Sequence, residues 1–253
     1  MESERLLHLR IDSTGVETQR RVVKEERKQS YDNRPYGSLI EKTFSTAYKV
    51  HPYRWTPIGS AQYIDEARLE EFIEFHSRFY VPNNAILSIA GDIDPVATRE
   101  LVAKYFGDIP RGTKEIYRPD IVEPKQTAEV RDTVYDNIRL PAVVQASHMP
   151  AMGTPDYYAL SMLTTLLSDG ESSRFNKTIV DQQQKALYVG SFPIPLEDPG
   201  LFLVFGIVSM GVDPADLESS INEEIKKAQT IELTDREFEK LRNKIENDFV
   251  SRN

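Results

Sequence analysis

Helical and strand-like patterns are segregated along this chain of 253 residues, and that order restricts the folds it can adopt. Residues 1–113 show mainly helical periodicity, interrupted by one short apolar strand pattern at residues 85–90. Residues 127–253 combine strand patterns with helices. Because strands and helices do not alternate regularly, we predict an α+β fold with antiparallel sheets and helices packed on one face.

A charged stretch with two prolines divides the chain. Residues 114–126 contain Pro119 and Pro124 and are predicted to form a linker between regions 1–113 and 127–253. The first region has too few strand patterns to cover its helices. We therefore predict that each region is only part of a domain.

Local signals predict where several helices begin. Asp94, Thr154 and Asp213 each precede a proline, which is the arrangement of an N-cap followed by the first helical residue. Thr234 and Glu237 have the spacing of a capping box. The sequence therefore predicts four helices that start directly after these caps.

Composition excludes several classes of function. The formal net charge of −9 at pH 7 argues against a general nucleic-acid partner. No apolar run is long enough to cross a bilayer, so we expect no membrane span. The chain has no cysteine, so any metal ion must be held by His, Asp or Glu. The four histidines are too far apart in sequence to form a metal-binding pair, and we expect no complete zinc site here.

Glu26 is a carboxylate in an unexpected place. Residues 16–32 are predicted as a helix, in which Glu26 lies four residues after Val22 and three after Val23, on their apolar stripe. A carboxylate there must be paired, hydrogen-bonded or bound to a cation, because desolvating it alone is costly. Two interpretations remain open at this point: a surface ion pair with Lys24 or Arg27, or a metal ligand.

Several separated motifs occur in a recognisable order along nearly the whole chain. They are residues 22–27 (VVKEER), 32–37 (DNRPYG), 51–53 (HPY), 80–85 (YVPNNA), 90–94 (AGDID), 106–110 (FGDIP), 155–160 (PDYYAL) and 170–174 (GESSR). Together they resemble the insulinase/pitrilysin-type (M16) zinc peptidases, and most closely the bacterial half-length members. The resemblance implies two related α+β domains: the later part of a catalytic domain in residues 1–113 and the first part of its sister domain in residues 127–253.

The resemblance also implies a zinc site that joins two helices. One helix carries an H-x-x-E-H motif with two histidine ligands and the glutamate that activates water. The other supplies a carboxylate ligand, which by motif position is Glu26. Three protein ligands leave zinc an open position for water, whose pKa falls enough to give hydroxide near neutral pH. H-x-x-E-H is absent from this sequence, so we expect zinc in the intact protein but neither tight zinc binding nor peptide hydrolysis by this chain alone.

Two positions depart from the family pattern. Gln19 stands seven residues before Glu26, where many members have a supporting carboxylate; an amide can hydrogen-bond the ligand but cannot raise its basicity as a carboxylate does. Tyr188 fits a family tyrosine that holds substrate, but Asp181 stands where its partner arginine is expected. Because an acid cannot stabilise an oxyanion, we expect another half to supply that pair.

The leading interpretation is a fragment of a zinc metalloendopeptidase that acts on unfolded peptides with a second M16-type half or a sister subunit, as a homo- or heterodimer. Its compartment, the periplasm or the cytoplasm of a bacterium, stays open. The alternative is a non-catalytic M16-like subunit or peptide-binding scaffold. A stand-alone helical binding module is a third interpretation.

Overall fold

The computed structural model describes residues 1–252, whose regular structure consists of helices and one antiparallel sheet. The helices are α1 (Glu2–Leu7), α2 (Ser13–Arg27), α3 (Leu39–Ala47), α4 (Ala61–Glu66), α5 (Leu69–Phe79), α6 (Pro95–Phe106), α7 (Pro155–Ser168), α8 (Pro214–Thr230) and α9 (Asp235–Arg252). The strands are β1 (Ala142–Met149), β2 (Ala186–Ile194) and β3 (Gly200–Val208). The predicted α+β class with antiparallel pairing is confirmed.

The chain divides into two compact units. The first comprises residues 1–40 and 50–127, and the second comprises residues 41–49 and 128–253. Most of α3 therefore belongs to the second unit. The assignment of residues 1–113 and 127–253 to two related, partial M16 domains stays a prediction. Among residues 1–252, none of the helices combines the length and apolar character needed to cross a bilayer.

The predicted helix starts are confirmed by their hydrogen bonds. Asp94 Oδ1 accepts from the amide of Ala97 at 2.8 Å, and Pro95 opens α6. The Thr154 and Asp213 side chains cap α7 and α8 in the same way. At α9 the Thr234 amide donates to Glu237 Oε2 at 3.1 Å, while the Glu237 amide donates to Thr234 Oγ1 at 3.3 Å. These signals are local in sequence, which is why the sequence predicts them correctly.

The strand predicted at residues 85–90 is wrong. These residues form no strand in the described chain, and the side chain of Ile86 is 98% exposed. A strand needs a neighbour for its N–H and C=O groups, and the described residues offer none at this position. The segment therefore leaves Ile86, Leu87 and Ile89 exposed on the first unit.

The stretch predicted as a linker, residues 114–126, contains neither helix nor strand but is tied to the first unit. The Lys114 ammonium donates to Glu74, and Arg118 Nη2 donates to Asn84 Oδ1 at 2.8 Å. Glu123 Oε2 accepts from the backbone amides at positions 50 and 51 at 3.0 and 2.8 Å. The stretch thus lies along the first unit as a fixed strap, because its charged side chains find acceptors and donors there.

The second unit is built around a sheet with the strand order β1-β3-β2 and antiparallel pairing throughout. One face of the sheet carries Val189, Val204 and Val208, and it packs against Leu217 and Ile221 of α8. Gly206 lies so close to α8 that a Cβ there would be 2.9 Å from Leu217 Cδ2. This cluster, which also includes Leu167, Phe175, Ile179 and Ala186, is the core of the second unit.

Candidate metal centre on helix α2

Glu26 lies on the exposed side of α2, together with Gln19 and Val22. Residues seven apart in a helix lie on the same face, so Gln19 and Glu26 point in similar directions. The prediction that Glu26 is turned inward with Val22 and Val23 is wrong. Val23 is half-buried, but the side chain of Val22 is 52% exposed.

The inward side of α2 is set by three cationic side chains. Arg20 Nη2 donates to the carbonyl oxygen of Ala67 at 2.7 Å, and Arg27 Nη1 donates to that of Gly59 at 2.5 Å. Between them, Lys24 Nζ lies 2.8 and 2.9 Å from the two carboxylate oxygens of Asp65. These acceptors lie before, within and after α4, so the three cations fasten α2 along this short helix.

The same contacts explain why the surface ion pair of Glu26, one of the two interpretations open from the sequence, does not form. Lys24 and Arg27, its two candidate partners, are turned towards α4. Within residues 1–252 the Glu26 carboxylate makes neither a hydrogen bond nor an ion pair, although its neighbour Glu25 pairs with Lys28 at 2.7 Å. An exposed carboxylate without a partner is chemically available as a ligand.

Arg20 retains one unfilled donor. Its side chain is 12% exposed, and Nε donates to Glu17 Oε1 at 3.1 Å. Nη1 is buried and has no hydrogen-bond partner among the described residues. An unmet buried donor costs free energy, so the Nη1 group lowers the net contribution of Arg20 to stability.

The described part of the chain contains no group of three or more His, Asp or Glu side chains arranged to hold a metal ion. A structural or catalytic zinc ion needs at least three protein ligands. Glu26 can supply one oxygen ligand, and the amide of Gln19 can lie beside it as a hydrogen-bonding support. The chemistry on α2 therefore fits part of a zinc site, and the remaining ligands have to come from outside the described residues.

Tyr188 lies at the start of β2 and is 44% exposed. Its ring lies over Gly190, where a Cβ would clash with Tyr188 Oη, and its ring centroid is 6.2 Å from that of Phe205. Burial raises the pKa of the Tyr188 phenol, so the group stays protonated and can donate a hydrogen bond at neutral pH. Asp181 is exposed in the π-helical turn Asn176–Gln182. The role of Tyr188 in substrate binding stays a prediction.

The sequence did not predict that three cationic side chains of α2 contact α4 and the residues beside it. Their signal is the spacing of Arg20, Lys24 and Arg27, which places all three on one helix face. A stripe of cations is typical of a solvated face. The structure shows instead that these three side chains contact residues in and around α4.

Comparisons with known proteins identify the family. The family model described as the Peptidase M16 inactive domain matches residues 67–245. Zinc protease PqqE of Helicobacter pylori is 34% identical over 235 residues, which cover 92% of this chain and 53% of that protein. The chain thus spans about half the length of the curated relatives it matches.

Similar solved structures agree with this family match. The crystal structure of a protease from Helicobacter pylori is 33% identical with a TM-score of 0.86, covering 96% of this chain and 59% of that chain. The peptidase M16 inactive domain from Pseudomonas fluorescens is 16% identical with a TM-score of 0.74, over 99% of this chain and 61% of that chain, which shows the fold alone. The predicted resemblance is confirmed, and the chain belongs to the M16 peptidase family.

Proposed function

We propose that this chain is part of a zinc metalloendopeptidase and that Glu26 is one of the zinc ligands of the intact protein. The observation that carries the proposal is the unpaired, exposed Glu26 carboxylate on the side of α2 that faces away from the first unit's own contacts. Family membership and the zinc-protease name of the Helicobacter pylori relative support it.

The residues of α2 would each do a separate task at such a site. Glu26 supplies a negatively charged oxygen ligand, and the Gln19 amide donates a hydrogen bond that orients it. Val22 lies between them on the same side, where its apolar surface would pack against an incoming helix and exclude water. When bound, zinc supplies Lewis-acid polarisation and lowers the pKa of its water.

The remaining parts of the site would come from an H-x-x-E-H segment outside this sequence and from a second half. Two histidines complete the ligand set, and the motif glutamate is the general base. Asp181, in place of the expected arginine, argues that the substrate-holding pair belongs to another M16-type half, fused or in a sister subunit. We propose unfolded peptides as substrates and a homo- or heterodimer, or two fused halves, as the active assembly.

A non-catalytic M16-like subunit or peptide-binding scaffold is the second candidate function. The matched family model is described as an inactive domain, and its residues 67–245 do not include Glu26. In this alternative the exposed face of α2 would bind a sister subunit without metal.

Metal analysis of the full-length protein separates the two proposals. We expect one tightly bound zinc ion per protein, lost in Glu26→Gln and retained in Glu25→Gln. Glu25 is the matched control because it is the adjacent exposed carboxylate, and within residues 1–252 it pairs with Lys28, directly after α2. A full-length protein that contains no zinc but still binds peptide would contradict the enzyme and support the scaffold.

A further inference from the structure

We propose that Arg20 and Arg27 are positioning residues for Glu26: they fix the height and rotation of α2, and thereby the place of the carboxylate. The metal-binding consequence rests on the proposed function, whereas the positioning of α2 does not. Both guanidinium groups donate to backbone carbonyls, Arg20 to Ala67 and Arg27 to Gly59, on either side of α4.

The spacing of the two arginines makes them a two-point clamp. Seven residues advance an α-helix by about 10 Å and return it to within about 20° of the same face. One contact at the middle of α2, at Arg20, and one at its last residue, Arg27, therefore restrain α2 from tilting, sliding and turning. Lys24 and Asp65 add a third contact between them. Glu26 and Gln19 lie on an exposed side of the same helix, about 100° around its axis from the two arginines.

Metal geometry is far less tolerant than helix packing. Side chains lie about 5–6 Å from the helix axis, so a rotation of about 20° would move the Glu26 carboxylate by about 2 Å. Metal–ligand distances are held to within about 0.2 Å. A helix seated by apolar contacts alone has no directional bond to prevent such a rotation, whereas two charged donors on fixed carbonyls do.

The use of arginine at positions 20 and 27 also supports a role in orienting α2. The side chains of Arg20 and Arg27 are only 12% and 15% exposed. Burying a guanidinium group carries a desolvation cost, and apolar residues are often equal or better for stability alone. The ion pairs of Arg20 with Glu17 and of Arg27 with Asp32 stay within or next to α2. Their bonds to the carbonyl oxygens on either side of α4 are directional contacts that give α2 a defined orientation.

The positioning of α2 can be measured on this chain itself. The sequence has no cysteine, so Glu26→Cys and Gln62→Cys introduce the only two sites for spin labels, one on α2 and one on α4. Electron spin resonance then gives the distance distribution between the labels. We expect one narrow distribution, and a broader one or a shift of about 2 Å when Arg20→Met and Arg27→Met are added.

The matched control is Arg21→Met, since Arg21 is exposed on the same helix and its side chain, among the described residues, donates to the Glu17 carbonyl of its own turn. Arg20→Lys and Arg27→Lys should preserve the narrow distribution in part, because lysine keeps a charged donor. Should the methionine variant fail to fold, as judged by circular dichroism, the lysine variant alone decides the test. We expect its distribution to be broader than that of the control, because lysine lacks the forked geometry of the guanidinium group, and a distribution equal to that of the control would overturn the proposal. Lysine and methionine variants that both give the control's distribution would overturn the proposal.

The predicted effect on metal binding is tested by measuring the zinc affinity of the full-length protein, in competition with a fluorescent chelator. We expect Arg20→Met with Arg27→Met to weaken zinc binding by about 10-fold to 100-fold, the effect of removing outer partners of a ligand. Arg21→Met should bind as the wild type does. Zinc lost in Glu26→Gln but bound tightly in the double arginine variant would refute the inference and leave the proposed function intact. Zinc binding that is unchanged in Glu26→Gln would instead refute the proposed function. In that case the spin-label distances still test whether Arg20 and Arg27 position α2.

Discussion

At the scale of single residues, Glu237 joins a helix start to an ion pair. Its carboxylate accepts from the amide and hydroxyl of Thr234, and Arg174 Nη2 lies 3.1 Å from its Oε1. The backbone hydrogen bond from Thr234 is the main cause that lowers the pKa of Glu237, followed by the Thr234 hydroxyl and Arg174. Each of these groups favours the charged carboxylate.

This lowered pKa makes the stability of the second unit depend on pH. The contribution of Glu237 is fully present above the unfolded-state pKa of about 4.3 and is lost as pH falls through its lower folded value. We expect Glu237→Gln to lower the melting temperature at pH 7 and to have progressively less effect below about pH 4. Thermal unfolding followed by circular dichroism at several pH values measures this. An effect of the substitution that grows as the solution is acidified would contradict it.

Leu217 tests the core of the second unit. Its side chain is fully buried between α8 and the sheet, next to Gly206. Leu217→Ala should lower the free energy of unfolding by about 2–5 kcal/mol, because it removes buried methyl groups and leaves a cavity. Urea denaturation measures the change, with the 87%-exposed Met210→Ala as control. Equal unfolding midpoints for the two variants would show that this packing is wrong.

Glu26 shows what residue spacing predicts and what it does not. Its distance from Val22 and Val23 is fixed by the helix. The helix predicted at residues 16–32 is α2 up to Arg27 and a π-helical turn, Lys28–Asp32, after it. Which side of α2 faces inward depends on Gly59, Asp65 and Ala67, which are more than 30 residues away in sequence. The helix was therefore predictable, whereas its rotation was not.

At the scale of elements, residues 85–90 are an apolar segment without a strand partner in the described chain. We expect their backbone amides to exchange with solvent deuterium rapidly, while those of the central strand β3 are protected. Hydrogen exchange read by mass spectrometry makes the comparison within one sample. Slow exchange across residues 86–90 would mean that the segment is paired in solution.

The exposed side chains of this segment carry a second expectation. Ile86→Lys should leave the melting temperature nearly unchanged, because Ile86 is 98% exposed, and should reduce self-association of the chain. Sedimentation velocity across a range of concentrations measures the association. The control is Ser88→Lys, an exposed position in the same segment. Asn83→Lys is unsuitable because the Asn83 side chain accepts a hydrogen bond from the Gly112 amide. A monomeric wild-type chain at high concentration would contradict the expected association.

The elements divide into those set locally and those set by distant partners. Helices α6 to α9 start where their caps predict, since the capping bonds span three residues or fewer. The strand at 85–90 had the correct apolar pattern but needs another strand, which the pattern cannot supply. The stretch 114–126 was predicted as a linker because its prolines and charges are typical of one, and that assignment stays a prediction. Its bonds to Glu74 and Asn84 could not be predicted, because they join residues far apart in sequence.

At the scale of the whole molecule, the order of the motifs predicted the M16 family and the α+β class correctly. The site could be predicted only in part, since the sequence contains one ligand candidate and lacks H-x-x-E-H. We therefore expect this chain alone to bind zinc weakly, with no stoichiometric ion after dialysis, and to leave an unfolded fluorogenic peptide uncleaved. Calorimetry with zinc and a peptidase assay measure both. Tight stoichiometric binding by this chain would require ligands that its described residues do not bring together.

The position of zinc in crystals of the zinc-loaded full-length protein, located by anomalous scattering at the zinc edge, decides whether Glu26 is a ligand. We expect a single strong peak about 2.0–2.2 Å from a carboxylate oxygen of Glu26. A zinc ion fully ligated by other residues, with Glu26 directed into solvent, would contradict this expectation.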